Sequence, residues 1–244
     1  MVDAAYDDPY LASLYDLENG WGADNAFYLG YVRSARDVVD NGCGTGVVLA
    51  AAQRAGHQGR LVGLDPAAGM LAQARRHFGV EWRQTTLVEA GYEAEFDLVI
   101  MTGHAFQELL GDDEIRAFLA AAARALRTGG RLAFETRNPL VRAWEQWNPD
   151  QVFEFTDPHG RALREWHEVL SCDEELVTFT ETVACDAWPA PKVSRSTLRF
   201  LPAQHLDHLL CAAGFGIDER YGDWDRSLMT PTSREIITIA RRAA

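Results

Sequence analysis

Asp37-Val38-Val39-Asp40-Asn41-Gly42-Cys43-Gly44-Thr45-Gly46, running on into Val47-Val48-Leu49-Ala50-Ala51-Ala52, decides the fold. Val38 and Val39 supply a β-branched run that Asp40 closes, and an apolar helix follows Gly46. Between them, three glycines at alternating positions let the backbone turn sharply and approach a ligand without Cβ interference. The free N–H groups of the helix point into that turn, which favours a carboxylate or another negatively charged group. Strand, glycine turn and helix together form the opening unit of a doubly wound α/β domain.

The spacing separates the ligand classes. A dinucleotide fingerprint runs G-x-G-x-x-G, its third glycine serving close helix–strand packing; here Val47 stands at that place. No Gly-Lys-Ser/Thr follows, so a Walker-type phosphate loop is excluded. An acid, a spacer and then Gly42, Gly44 and Gly46 after a strand resembles the first motif of class I S-adenosylmethionine-dependent methyltransferases. Asn41 departs from the aliphatic residue usual in that family. A structural glycine turn in another α/β domain is the alternative that the motif alone leaves open.

Composition narrows the rest. The chain has 244 residues, 47% of them hydrophobic, enough for one substantial core. No apolar run reaches the roughly 20 residues that cross a bilayer. The first residues are acidic and do not read as a signal peptide. A net charge of −13 disfavours nucleic acid, whose binding needs clustered Lys and Arg. Cys43, Cys172, Cys185 and Cys211 are far apart and lack C-x-x-C spacing, which fits reduced thiols in a cytoplasm and neither zinc nor disulfides. The expectation is a cytoplasmic protein, monomer or homodimer, with no metal, membrane or nucleic-acid partner.

Residues 1–36 crowd Tyr6, Tyr10, Tyr15, Trp21, Phe27, Tyr28 and Tyr31 among acids. They read as one or two helices that are either a packing arm or a lid, with Tyr15, Trp21 and Tyr28 facing a ligand. After the glycine turn, Arg60 to Asp65 is a short strand ending in an acid. Such an acid accepts hydrogen bonds from ribose hydroxyls in doubly wound folds; capping a helix over residues 67–78 is its other use. A third strand covers about 80–84, and Phe96 to Met101 is a fourth, apolar enough to be buried on both faces. His104 follows it at the edge where a crevice opens, as a general base, an orienting donor or a structural histidine. A helix from Asp112 stops at Thr128-Gly129-Gly130, and residues 131–136 form the fifth strand, with Glu135, Arg137 and Asn138 facing the crevice.

From Gln151 to Phe200 the helical period gives way to alternation, and the segment reads as an insertion of three or four antiparallel strands. A helix over 202–213 and strands over 215–221 and 235–240 close the chain, with Trp224 on a loop returning over the active face. The expected organisation is a helical lid over 1–36, a core over 37–150 and 201–244, and a β cap over 151–200. The fold class is α/β, a three-layer sandwich around a seven-stranded, mostly parallel sheet.

The resemblance extends over Asp37–Ala133 and Leu201–Arg241 and carries roles with it. It implies that Gly42, Cys43, Gly44 and Gly46 hold the methionine portion of S-adenosylmethionine, with Asp40 near its amino group. Asp65 would bind the ribose. Met70 and Leu87 would sandwich the adenine, with Met70 as ordinary core filler the alternative, and Pro66, Thr86 and Met101 would belong to the same cofactor site. His104 becomes the catalytic candidate, and Tyr15, Trp21, Tyr28, Glu135, Trp166 and Trp224 the acceptor pocket. The function expected is methyl transfer to an O or N atom of a small molecule, releasing S-adenosylhomocysteine. An NAD-binding oxidoreductase and a non-catalytic nucleoside-binding protein are its rivals.

Overall fold

The computed structural model describes residues 3–243. Three helices precede the first strand: α1 (Ala4–Asp7), α2 (Pro9–Glu18) and α3 (Ala23–Ser34). Asp8 caps α2 by accepting from the N–H groups of Tyr10 and Leu11, and Pro9 fills the first position, where no donor is needed. Then come β1 (Val38–Asn41), α4 (Val47–Arg54), β2 (Leu61–Leu64), α5 (Ala68–Ala74), β3 (Glu81–Arg83), α6 (Leu87–Ala90), β4 (Phe96–Met101), α7 (Asp112–Ala125) and β5 (Leu126–Arg137). The insertion supplies β6 (Phe153–Thr156), β7 (Ala162–Asp173), β8 (Leu176–Ala184) and β9 (Lys192–Arg199). The chain closes with α8 (Ala203–Ala212), β10 (Phe215–Tyr221) and β11 (Glu235–Arg242).

The main sheet has seven strands in the order β10-β11-β5-β4-β1-β2-β3. From β3 through β2, β1 and β4 to β5 neighbouring strands pair in parallel, and β11 runs antiparallel to both β5 and β10. Alternation along the buried strands feeds two cores. Val39, Val62 and Val99 face α7 and α8, meeting Phe118, Leu119, Leu206 and Leu210. Val38, Leu98 and Ile100 face α3 and α4, meeting Phe27, Tyr28, Val32 and Leu49. Each such fully buried apolar side chain contributes about 1.5–3 kcal/mol.

Two boundaries differ from the sequence reading. Thr128-Gly129-Gly130 does not separate α7 from β5; the strand begins at Leu126 and carries the glycines as a bulge. The register with β4 jumps from Phe96↔Leu126 to Leu98↔Arg131, and Gly129 takes a φ of +77°. Helix α5 ends at Ala74 instead of Phe78, because the chain turns back so that Trp82 Nε1 can donate to the His77 carbonyl.

The insertion is a four-stranded antiparallel sheet, β6-β7-β8-β9. Helix α2 lies between it and α5: Leu14 packs with Leu163 and Val183 of the insertion, and Ala12 with Met70. Tyr10 donates to Asp157, and Lys192 pairs with Asp8, each across less than 3 Å. Helix α3 packs on the core through Phe27, Tyr28 and Val32 and turns Asp24 and Asn25 to the crevice, which α1 and α2 border through Tyr6 and Tyr15.

Candidate active site

Gly42, Gly44 and Gly46 all have positive φ, at +76°, +54° and +78°. Two of them show what the turn demands. A Cβ on Gly46 would sit 2.3 Å from the Trp82 ring, so this glycine serves packing under the start of α4. A Cβ on Gly44 would meet no atom within 4 Å, so this glycine borders open space. The Thr45 hydroxyl donates to Asp16 at 2.6 Å, tying the turn to the α2 roof.

Two cavities open beside the turn. The smaller, about 340 Å³, lies over the carboxyl ends of β1, β2 and β4 and is walled by Asn41, Asp65, Pro66, Met70, Thr86 and Met101. The larger, about 590 Å³, extends under the insertion to Arg137, Trp147, Phe179 and His167. Tyr6, Tyr15, Gly42, Gly44, Thr102, Gly103 and Glu108 line both, and so mark the junction where the two spaces meet.

Asp65 is 6% exposed, with Oδ2 accepting the Gly44 N–H and Oδ1 the Ala67 N–H, each at 2.8 Å. It braces the turn that leads into α5, whose N-cap Ala67 receives no side-chain cap, and it faces the smaller cavity. Burial raises its carboxyl and the two backbone donors oppose that shift. Asn41 explains its own departure from the motif: Oδ1 accepts the Leu87 N–H at 2.7 Å, which fixes α6 against β1.

Other expected residues stand behind the walls. Asp40 is 1% exposed beneath the turn, its Oδ1 without a donor among the described residues. Burial and the nearby Asp65 and Glu135 push its carboxyl well up. Leu87 is turned into the core, where only its backbone serves the site. Gly46 is covered by Trp82. Cys43 is the exception and lines the larger cavity.

His104 lies at the junction end of the larger cavity with a φ of +61°, uncommon for a residue with a Cβ. Two carboxylates hold it there. Its N–H donates to Glu135 Oε1 at 2.7 Å, and Nε2 lies 2.9 Å from Glu235 Oε2. Glu135 also accepts from the Tyr28 hydroxyl. Tyr28 and Glu135 are 0% and 1% exposed, so they are supports of His104 and not the acceptor contacts expected from the sequence.

The other aromatic candidates divide. Tyr15 is at the junction, and burial with Asp16 close by pushes its hydroxyl up to about 12. Trp21 is 51% exposed and off both walls. Trp166 points away from the cavity because its neighbours Glu165 and His167 on β7 point in. Trp224 packs edge-on against Phe27 and Tyr28. Of Glu135, Arg137 and Asn138, only Arg137 reaches the wall.

Sequence reasoning missed three groups. Glu108 opens onto both cavities, and enclosure together with Asp3 and Asp65 pushes its carboxyl to about 7. The roof residues Tyr6 and Leu11 come from α1 and α2, too far from any motif to be placed. Glu18, Glu165, His167 and Glu181 meet from three elements, a convergence that no spacing in the chain announces.

The comparisons with known proteins agree with this geometry. Residues 38–130 match the family described as "Methyltransferase domain". A ubiquinone biosynthesis O-methyltransferase of Bradyrhizobium sp. (strain ORS 278) is 28% identical over 147 residues, covering 56% of this chain and 53% of the relative. This chain thus spans about half the length of that curated relative. An S-adenosylmethionine-dependent methyltransferase from Clostridium acetobutylicum superposes with a TM-score of 0.78 at 14% identity, covering 96% of this chain and 98% of its own. CalS10, an amino pentose methyltransferase from Micromonospora echinaspora, superposes with a TM-score of 0.69 at 22% identity, covering 94% and 97%. The glycine turn and Asp65 fall inside the matched residues 38–130, so that stretch is similar to the methyltransferase domain, and the whole chain shares its fold with S-adenosylmethionine-dependent methyltransferases.

Proposed function

We propose that the protein transfers a methyl group from S-adenosylmethionine to an O or N atom of a small-molecule acceptor. The observation that carries this reading is the junction: two cavities of unequal size share the walls formed by Tyr6, Tyr15, Gly42, Gly44, Thr102, Gly103 and Glu108.

The smaller cavity suits the cofactor. Asp65 offers carboxylate oxygens to ribose hydroxyls. Met70, Pro66, Ala67 and Met101 give apolar walls for a purine. The open space at Gly44 admits the amino-acid portion, which extends into the larger cavity beside Cys43 and Thr45. Bound there, S-adenosylmethionine supplies an electrophilic methyl group on a sulfonium. What remains for the protein is alignment and exclusion of water.

This chain does both. The α1–α2 roof closes over the junction, bolted to the glycine turn by Thr45–Asp16 and to the insertion by Tyr10–Asp157. Tyr6 and Tyr15 narrow the junction, their rings edge to face at 6.3 Å. His104 and Glu108 are the two groups at this end able to take a proton from an acceptor hydroxyl or ammonium. An O-methyltransferase among the similar proteins supports an oxygen acceptor, and an amino pentose methyltransferase among those of the same fold supports an acceptor that carries an amine.

A titration with S-adenosylhomocysteine and with NAD separates this reading from an oxidoreductase. Binding of the first and not the second is expected; the reverse overturns the proposal. Screening amines and phenols for a mass gain of one methyl group, with release of S-adenosylhomocysteine, then separates an enzyme from a binding protein of the same fold.

A further inference from the structure

Four side chains on the far wall of the larger cavity have no part in the chemistry above. Glu18 ends α2, Glu165 and His167 lie on β7, and Glu181 lies on β8. Glu165 and His167 are two residues apart, so they share a face of the strand, and the register sets His167 opposite Glu181. His167 Nε2 lies 3.5 Å from Glu181 Oε2 and 3.9 Å from Glu165 Oε1. None of the four lines the smaller cavity.

Glu165 is the informative member. It is 7% exposed, it lines the cavity, and its Oε2 has no donor among the described residues. A buried carboxylate oxygen left in that state is costly. Among the described residues no lysine or arginine pairs with Glu18, Glu165 or Glu181. Burial, with Glu165 and Glu181 close by, pushes the Glu18 carboxyl to about 9, which leaves it neutral beside them. Glu165 and Glu181 then have His167 alone among the described residues as a basic partner, and the cavity leaves room for a ligand to bring a positive charge.

The shape of the wall chooses the kind of cation. Donor atoms of Glu165, His167 and Glu181 all lie within 4.8 Å of one another. A tetrahedral zinc ion with bonds of about 2.0–2.1 Å holds its ligands about 3.4 Å apart, a spacing that His167–Glu181 meets at 3.5 Å and His167–Glu165, at 3.9 Å, exceeds. Beside the carboxylates are aromatic side chains, Phe179 and Trp147, with ring centroids 4.7 Å apart. Such a wall accommodates carbon as well as charge. Arg137 lies over the Trp147 ring at 5.5 Å, which keeps a second cation off that side and places it against Glu165 and Glu181.

We propose that Glu18, Glu165 and Glu181 form a subsite for a protonated alkylamine carried by the acceptor. The nucleophile of a methyl transfer needs a free lone pair, so an ammonium held here is an anchor and not the atom methylated. The acceptor class is thus a molecule with a basic amine in addition to its reacting O or N. This inference rests on the reading of the larger cavity as the acceptor site.

The probe is 1,4-diaminobutane, titrated calorimetrically into the full chain saturated with S-adenosylhomocysteine, with 1,4-butanediol as its neutral counterpart. One diamine is expected to bind, and the diol not. Glu165→Gln with Glu181→Gln should weaken the diamine at least tenfold while leaving S-adenosylhomocysteine affinity unchanged. Glu168→Gln, on the exposed face of the same strand, should change neither. Equal binding of diol and diamine, or undiminished diamine affinity in the double variant, overturns the proposal. So does one zinc ion bound in preference to the diamine. If the double variant melts early, the single Glu181→Gln variant carries the comparison. Failure of S-adenosylhomocysteine to bind the wild type would fall on the methyltransferase reading, while the diamine–diol comparison still reports on the subsite.

Discussion

His104 Nε2 lies 2.9 Å from Glu235 Oε2, joining the loop after β4 to the first residue of β11. Glu235 is thus placed by the antiparallel strand that enters between β5 and β10, and His104 by the parallel strand two places along. The pairing engages one ring nitrogen, so any proton transfer with an acceptor falls to Nδ1. His104→Ala should lower the single-turnover rate by about 10²–10⁴-fold if the ring acts as a base. S-adenosylhomocysteine affinity should stay within about threefold, under 1 kcal/mol. Equal losses in binding and rate would place His104 in the nucleoside site instead.

Glu108 offers a separate test through pH. Its carboxyl, raised to about 7, is mostly protonated below that value and ionised above it. If it takes the acceptor's proton, the rate at subsaturating acceptor should rise with pH and level off above about 7. Glu108→Gln should remove that inflection and leave a lower rate. An inflection that persists in the variant assigns it to another group.

The glycine turn separates ligand space from packing space. Gly44→Val puts a side chain into the opening at the junction and should abolish S-adenosylhomocysteine binding, with the strain of a β-branched residue at a φ of +54° as its cost to the melting temperature. Gly46→Ala meets the Trp82 ring and should lower the melting temperature first. Reversal of this order in paired melting and titration experiments would move the ligand away from Gly44.

Asp65→Ala should weaken S-adenosylhomocysteine by about 1.5–3 kcal/mol, roughly 10- to 150-fold, through loss of charge-assisted hydrogen bonds. Because Asp65 also receives the Gly44 and Ala67 N–H groups, a melt must accompany the titration. Asp65→Asn keeps one acceptor oxygen and should retain more of the fold than of the affinity. Unchanged affinity in a folded variant would remove the ribose assignment.

How far these residues were legible followed from how local their signals are. Val38 to Gly46 and Leu61 to Asp65 carry strand, turn and acid within a few positions, so the walls of the smaller cavity could be read directly. Alternation over 162–184 marked the insertion as strands for the same reason. The far wall of the larger cavity was illegible because it is assembled from afar: Glu18 meets Glu165 and Glu181 across three elements. Tyr28 and Trp224 were aromatic residues near the right strands, but they face Phe27 and the α3 core instead of the cavity. Charge could not be read either, since a carboxylate such as Glu108 looks ordinary until the walls around it are known.

The carboxylate cluster leaves a mark on stability as well as on binding. Glu18 in the folded chain holds its proton to about pH 9, against an ordinary glutamate value of 4.5. Between those two values the folded state binds a proton that the unfolded state has released. Stability therefore falls as pH rises through the window, the slope set by that extra bound proton. The opposite sign belongs to carboxylates with lowered values, such as Asp37 and Asp97 beside Arg127, whose contribution is lost at low pH. Glu18→Gln keeps the size and the hydrogen-bonding capacity of the protonated acid and cannot ionise. It should flatten the decline in denaturant midpoint between about pH 6 and 9, with the largest gain over wild type at the alkaline end. A wild-type midpoint that is flat over this range, or a variant that declines in parallel with it, would mean that Glu18 is ionised in the folded protein and that the cluster is not held by a proton.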